Sequence, residues 1–171
     1  MDEAIIRSAL KSQYHCTLDM LEAVIEQCPE PCWVSPDHTA PCWQIAYHAL
    51  FYTHMYLQRD IDSFRPWEQH LPEYQFIGAL PNGAIPRIGA PYSKENILAY
   101  LALCRAMVDS CVDAMDLNAP ECGFPWYTMG KLEHQLNNIR HVQHHTAQLN
   151  DRLKRYTGTG VKWMQMASRN N

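Results

Sequence analysis

The sequence predicts an all-α fold, a four-helix bundle with a long crossover between its second and third helices. Three observations carry that prediction. Four long segments repeat apolar residues at helical spacing. No segment alternates apolar and polar residues as a half-buried strand does, and residues 60–92 are broken throughout by proline and glycine. At 171 residues the chain can bury a sizeable core in one unit, so residues 1–171 are read as a single domain.

The first helix is expected from about Asp2 to Cys28, with Ile6, Ala9, Leu10, Thr17, Leu21, Val24 and Cys28 on one face. Lys11, His15, Asp19, Glu22 and Glu26 lie opposite. Pro29 and Pro31 stop this helix, and Pro29 to Ala40 reads as a loop. Thr39 or Ala40 then caps a second helix, with Pro41 in its first turn and an end near Arg59. Apolar and aromatic residues from Trp43 to Leu57 cover most of its circumference. One side is therefore expected in the bundle and another against a second subunit, which predicts a homodimer.

From Asp60 to Tyr92 the prolines and glycines rule out a long helix, and a connection of this length lets the second and third helices run parallel. Ser93 is the expected N-cap of the third helix, whose apolar face is Ile97, Leu101, Cys104, Val108, Cys111 and Met115 and whose end lies near Asn118. The fourth spans about Gly130 to Tyr156, with Arg152, Lys154 and Arg155 in its last turns and Gly158 just beyond. The tail, Thr157 to Asn171, carries Trp163, Met164 and Met166 and is expected to dock as a short flap.

Composition narrows the function classes. The formal net charge is -4 with no dense basic stripe, so the footprint of a nucleic-acid binder is missing. No apolar run approaches a bilayer span, and Met1 to Arg7 lacks the pattern of a signal peptide, so a cytoplasmic location without membrane partners is expected. Seven cysteines, with no CxxC pair, read mostly as reduced, buried thiols. Cys104 and Cys111 share one apolar helix face. Cys28, Cys32 and Cys42 flank a loop, where a redox or metal role stays open beside simple packing.

The chemistry concentrates in His141-Val142-Gln143-His144-His145-Thr146-Ala147-Gln148. Positions 141 and 145 differ by only about 40° around a helix, so both imidazoles can face one ion. With Leu132 as the phase reference, Leu132, Leu136, Ile139, Val142, Thr146, Leu149 and Leu153 are expected to face the core and His144 the solvent. His141 and His145 fall on the border between the two, where a side chain lines a cleft. His48, on the second helix, completes a facial set of three imidazoles with an open position for water. His134 shares the phase of His141 but lies about two turns, near 10 Å, away and reads as a polar flank. His15, His38, His54 and His70 read as structural or solvated. Gln148 and Asn138, each about one turn from a candidate ligand, read either as holding the outer ring nitrogens or as ordinary helix polar residues, and Gln13 either as reaching the same cavity or as bonding backbone or water. There is no Glu-x-x-His pair, His-Glu-x-x-His motif, phosphate-binding glycine loop or nucleophile elbow.

Three parts of the chain resemble the DinB-like (DinB/YfiT) superfamily of small metal-binding bundles. They are Trp43-Gln44-Ile45-Ala46-Tyr47-His48-Ala49-Leu50, the long crossover, and His141 to Gln148. The resemblance implies His48, His141 and His145 as metal ligands, zinc or nickel as the metal, an up-down-down-up helix order and a homodimer. Members of that superfamily include thiol transferases, an isomerase and hydrolase-like proteins, and its name does not imply DNA binding. Some relatives place a carboxylate in the last-helix motif, and this chain has none there. The resulting expectation is a metal-dependent enzyme that activates water or a thiol cosubstrate for hydrolysis or transfer on a small molecule. The competing expectation is a noncatalytic, stress-associated bundle whose ion ties two helices together.

Overall fold

Capping side chains, prolines and glycines set the helix ends in the computed structural model, which describes residues 2–166. The Asp2 carboxylate accepts the Ala4 N–H at 3.0 Å and starts α1 (Glu3–Gln27). A single-turn helix, α2 (Glu30–Trp33), follows inside the segment expected to be loop; Pro31 sits in its first turn, where a missing N–H costs nothing. The next helix, α3 (Cys42–Tyr56), is shorter than its sequence pattern suggests. Pro41 itself is the N-cap, rather than Thr39 or Ala40, and Leu57 closes the far end before Arg59.

Ser93 caps α4 (Lys94–Ala114) by accepting the Asn96 N–H, and Met115 turns extended at its end, one turn before Asn118. The last helix, α5 (Lys131–Thr157), ends on Gly158, whose φ of 82° is the left-handed conformation that a glycine enters without steric cost. All regular structure among the described residues is helical. No helix among them is long and apolar enough to cross a membrane.

The four long helices pack pairwise, α1 and α3 each lying against both α4 and α5. Arg7, near the start of α1, donates to the carbonyls of Val112 and Met115, and Lys94, at the start of α4, donates to the Cys28 carbonyl. Between them Arg105 pairs with Asp19 and Glu22. Tyr14 and Met20 of α1 meet Gln135 and Gln143 of α5, while Tyr56 and His48 of α3 meet His134 and His141.

Of the fifteen residues of α3, only His48 and Tyr52 are not buried. The aromatic circumference from which a second subunit was expected is covered within the chain. Trp43 packs on Tyr74 and Tyr92 of the crossover, Tyr47 on Trp67 and Tyr92, and the Gln44 amide donates to the Phe76 carbonyl at 2.8 Å. The crossover is thus a sheath for α3. Burial of that helix no longer requires a partner.

The core face read off Leu132 holds for Val142, Thr146, Leu149 and Leu153 but departs in the first turns of α5. Leu136 is 51% exposed, whereas His134, Gln135 and Asn138 are wholly buried. A polar network makes that burial tolerable: Tyr14 donates to Gln135 Oε1 at 2.7 Å, Asn138 donates to the Tyr14 hydroxyl at 2.9 Å, and Gln135 donates to the Tyr56 carbonyl at 3.0 Å. Past α5 the chain folds back, with Val161 held by Asn150 and the Met164 carbonyl at Cys16. Trp163 and Met166 remain exposed, and Met1 and residues 167–171 of the expected single domain lie outside the described residues.

Candidate metal centre

His48 and Tyr52 stand one turn apart on α3 in the gap left by the crossover, facing His141 and His145, one turn apart on α5. Packing of α3 against α5 brings the three expected ligands together. His48 Nε2 lies 3.0 Å from His141 Nε2, and one ring nitrogen of each of the three histidines falls within 4.8 Å of the others. Two nitrogens bonded to one ion at about 2.0–2.1 Å must lie about 2.9–3.4 Å apart for bond angles between octahedral and tetrahedral. The His48–His141 separation meets that requirement.

The outer nitrogens determine which lone pairs are free. His48 Nδ1 donates to the Gln75 carbonyl at 2.6 Å; a carbonyl only accepts, so the proton is on Nδ1 and Nε2 is bare toward the centre. His145 Nδ1 donates to Gln148 Oε1 at 3.1 Å, as the helical spacing anticipated. His141 Nδ1 is buried with no hydrogen-bond partner. Leaving such a group unpaired costs about 1–3 kcal/mol, a strain of the kind found where geometry serves a ligand. Burial pushes the pKa of His48 down to about 4 and that of His141 to about 3, the neighbouring imidazoles adding to the effect. The pKa of His145 is lowered by the same burial. All three rings are therefore neutral near pH 7 and able to bind a cation.

His48 and His141 also form part of the wall of a cavity of about 700 Å³. Phe51, Met55, Phe64 and Phe76 make its surface largely apolar, and Tyr52, Tyr56, Tyr127 and Gln75 supply the remaining polar groups. Burial raises the pKa of Tyr52 and Tyr56, which keeps both phenols protonated and able to donate. Gln75 Oε1 is buried without a partner. No carboxylate lines the cavity, so an ion held by three neutral imidazoles keeps its full charge toward whatever enters.

Other expected residues lie elsewhere. His144 is exposed, as the phase predicted. Gln13 is exposed and does not reach the cavity, and Asn138 serves Tyr14 rather than His141. His134 is not a polar flank: it is fully buried among Tyr56, Phe124 and Tyr127, and burial lowers its pKa to about 4. His15 meets Asp109, His54 the Tyr100 hydroxyl and His70 the Tyr47 hydroxyl, while His38 is exposed. Two contributors escaped the sequence reading. Tyr52, one turn beyond His48, carried a legible spacing signal; the Gln75 carbonyl, a main-chain atom in an aperiodic segment, carried none. No protein-family model, no curated protein and no solved structure matches this chain.

Proposed function

We propose that the chain is a divalent-metal-dependent enzyme of DinB-like type, acting on a small, largely apolar substrate by hydrolysis or thiol transfer. The observation that carries this reading is the convergence of His48, His141 and His145, two of which, His48 and His141, line a cavity, with the outer nitrogens of His48 and His145 tied back. Zinc or nickel suits a donor set of three imidazoles with no thiolate or carboxylate. When bound, such an ion supplies Lewis acidity, lowering the pKa of a coordinated water or thiol toward neutrality.

The chain's own residues provide the rest. Apolar walls exclude bulk water, and the Tyr52 hydroxyl, one turn from His48, donates to charge developing on a substrate oxygen. An up-down-down-up bundle is supported by the contacts already described: Arg7 at Val112 and Lys94 at Cys28 run α1 against α4, while Tyr56 at His134 and His48 at His141 run α3 against α5. A purely structural ion is the weaker reading, because Tyr56, His134 and Gln135 already join α3 to α5 away from the histidines. A homodimer belongs to the proposal through the family resemblance alone.

The decisive measurement is elemental analysis of wild type beside His48→Ala, His141→Ala and His145→Ala. Each variant should lose one ion per chain while keeping its helical content, and thiol- or ester-consuming activity should go with it. Full metal retention in all three variants would end the proposal.

A further inference from the structure

We propose that Cys28, Cys32 and Cys42 form a second metal centre, a three-thiolate site for zinc, closed off from solvent and separate from the histidine site. The three come from different elements: Cys28 caps the end of α1, Cys32 lies in α2 and Cys42 opens α3. All are buried, and their sulfurs lie within 4.8 Å of one another, with Cys32 Sγ and Cys42 Sγ 3.9 Å apart. Two sulfurs on one tetrahedral zinc, with bonds of about 2.3 Å, lie about 3.8 Å apart. A disulfide needs about 2.05 Å, so the sulfurs stand at a ligand spacing and not at a bonding one.

Charge supports the same assignment. Binding replaces three S–H bonds with three Zn–S bonds and releases up to three protons to solvent, leaving a unit of charge -1. A buried anion needs a counter-charge, and Arg152 of α5 provides it. Its guanidinium donates to the Ala40 carbonyl at 2.7 Å, two residues before Cys42. Cys42 also occupies the first turn of a fifteen-residue helix, whose N-terminal field favours a thiolate. His38, in the loop between Cys32 and Cys42, is exposed and outside the cluster.

The test uses reduced, full-length protein carrying His48→Ala and His141→Ala, so that the histidine site is disabled. Titration with cobalt(II) should produce sulfur-to-metal charge-transfer absorption that saturates at one ion per chain. Zinc should abolish it, and Cys28→Ser, Cys32→Ser or Cys42→Ser should each weaken it, whereas Cys104→Ala should not. Zinc-edge X-ray absorption of the same protein guards against a misfolded serine variant: it should show sulfur neighbours at about 2.3 Å. A shell of nitrogen and oxygen only, or a charge-transfer band indifferent to all three serine variants, overturns the proposal. Because the histidines are already removed, neither result bears on the reading of the histidine site.

Discussion

The histidine and cysteine clusters share α3 yet differ in what surrounds them. His48 and His141 open onto a large cavity, and their ring nitrogens are neutral donors that leave a cation's charge intact. Cys42 sits about 9 Å nearer the start of that helix, buried with Cys28 and Cys32 near the Arg152 guanidinium. On the two proposals, the first arrangement would retain an ion's Lewis acidity beside a binding space, as catalysis needs, whereas three thiolates would neutralise an ion away from any such space. Ligand type and solvent access, read together, separate the two roles where residue count alone does not.

The largest expected effect comes from the sheath. Trp67 is buried, stacks on Tyr100 at 4.6 Å and covers Tyr47. Trp67→Ala should cost about 3–5 kcal/mol in urea unfolding, and it should weaken ion binding at the histidines, whose orienting carbonyl the crossover carries, more than at the cysteines. A loss under about 1 kcal/mol would mean that the crossover does not hold α3.

A smaller effect isolates orientation from ligation. Gln148→Ala removes only the acceptor behind His145 and should lower zinc affinity at the histidine site by about 10- to 100-fold in a chelator competition, leaving the cysteine site unchanged. Unchanged affinity at both sites would show that Gln148 does not set the ring.

The smallest separates burial from ligation. His134 is more deeply buried than His48 and His141 but faces aromatic rings rather than other imidazoles. Its folded pKa, about 4, lies below the usual 6.5, so between those values the unfolded chain holds a proton that the native state lacks. Stability should therefore fall as pH drops from about 6.5 to 4. In His134→Gln the fall should be shallower by up to about one proton, with zinc affinity unchanged. An identical acid limb would show that His134 protonates in place.

Much of this architecture was legible. Ser93, Gly158 and the prolines mark helix ends by local chemistry, and the spacing of 141 and 145 sets two imidazoles side by side without tertiary knowledge. The failures have a common cause. Trp67, Tyr74 and Tyr92 sit in an aperiodic segment, so nothing local announces that they wrap α3 and account for its burial within one chain. The burial of His134, Gln135 and Asn138 rests on Tyr14 and Tyr56, which lie far away in sequence. Hydrophobic phase therefore placed Leu136 inside and His134 at the edge.

One residue divides two tasks between its main chain and its side chain. The carbonyl of Gln75 holds His48, while its side-chain oxygen sits unpaired in the cavity wall. A substitution there alters what the cavity can hydrogen-bond without touching the atom that sets the ligand's tautomer. On the proposed function, position 75 is thus where the choice of cavity occupant would be retuned while the imidazole that faces the centre keeps its tautomer.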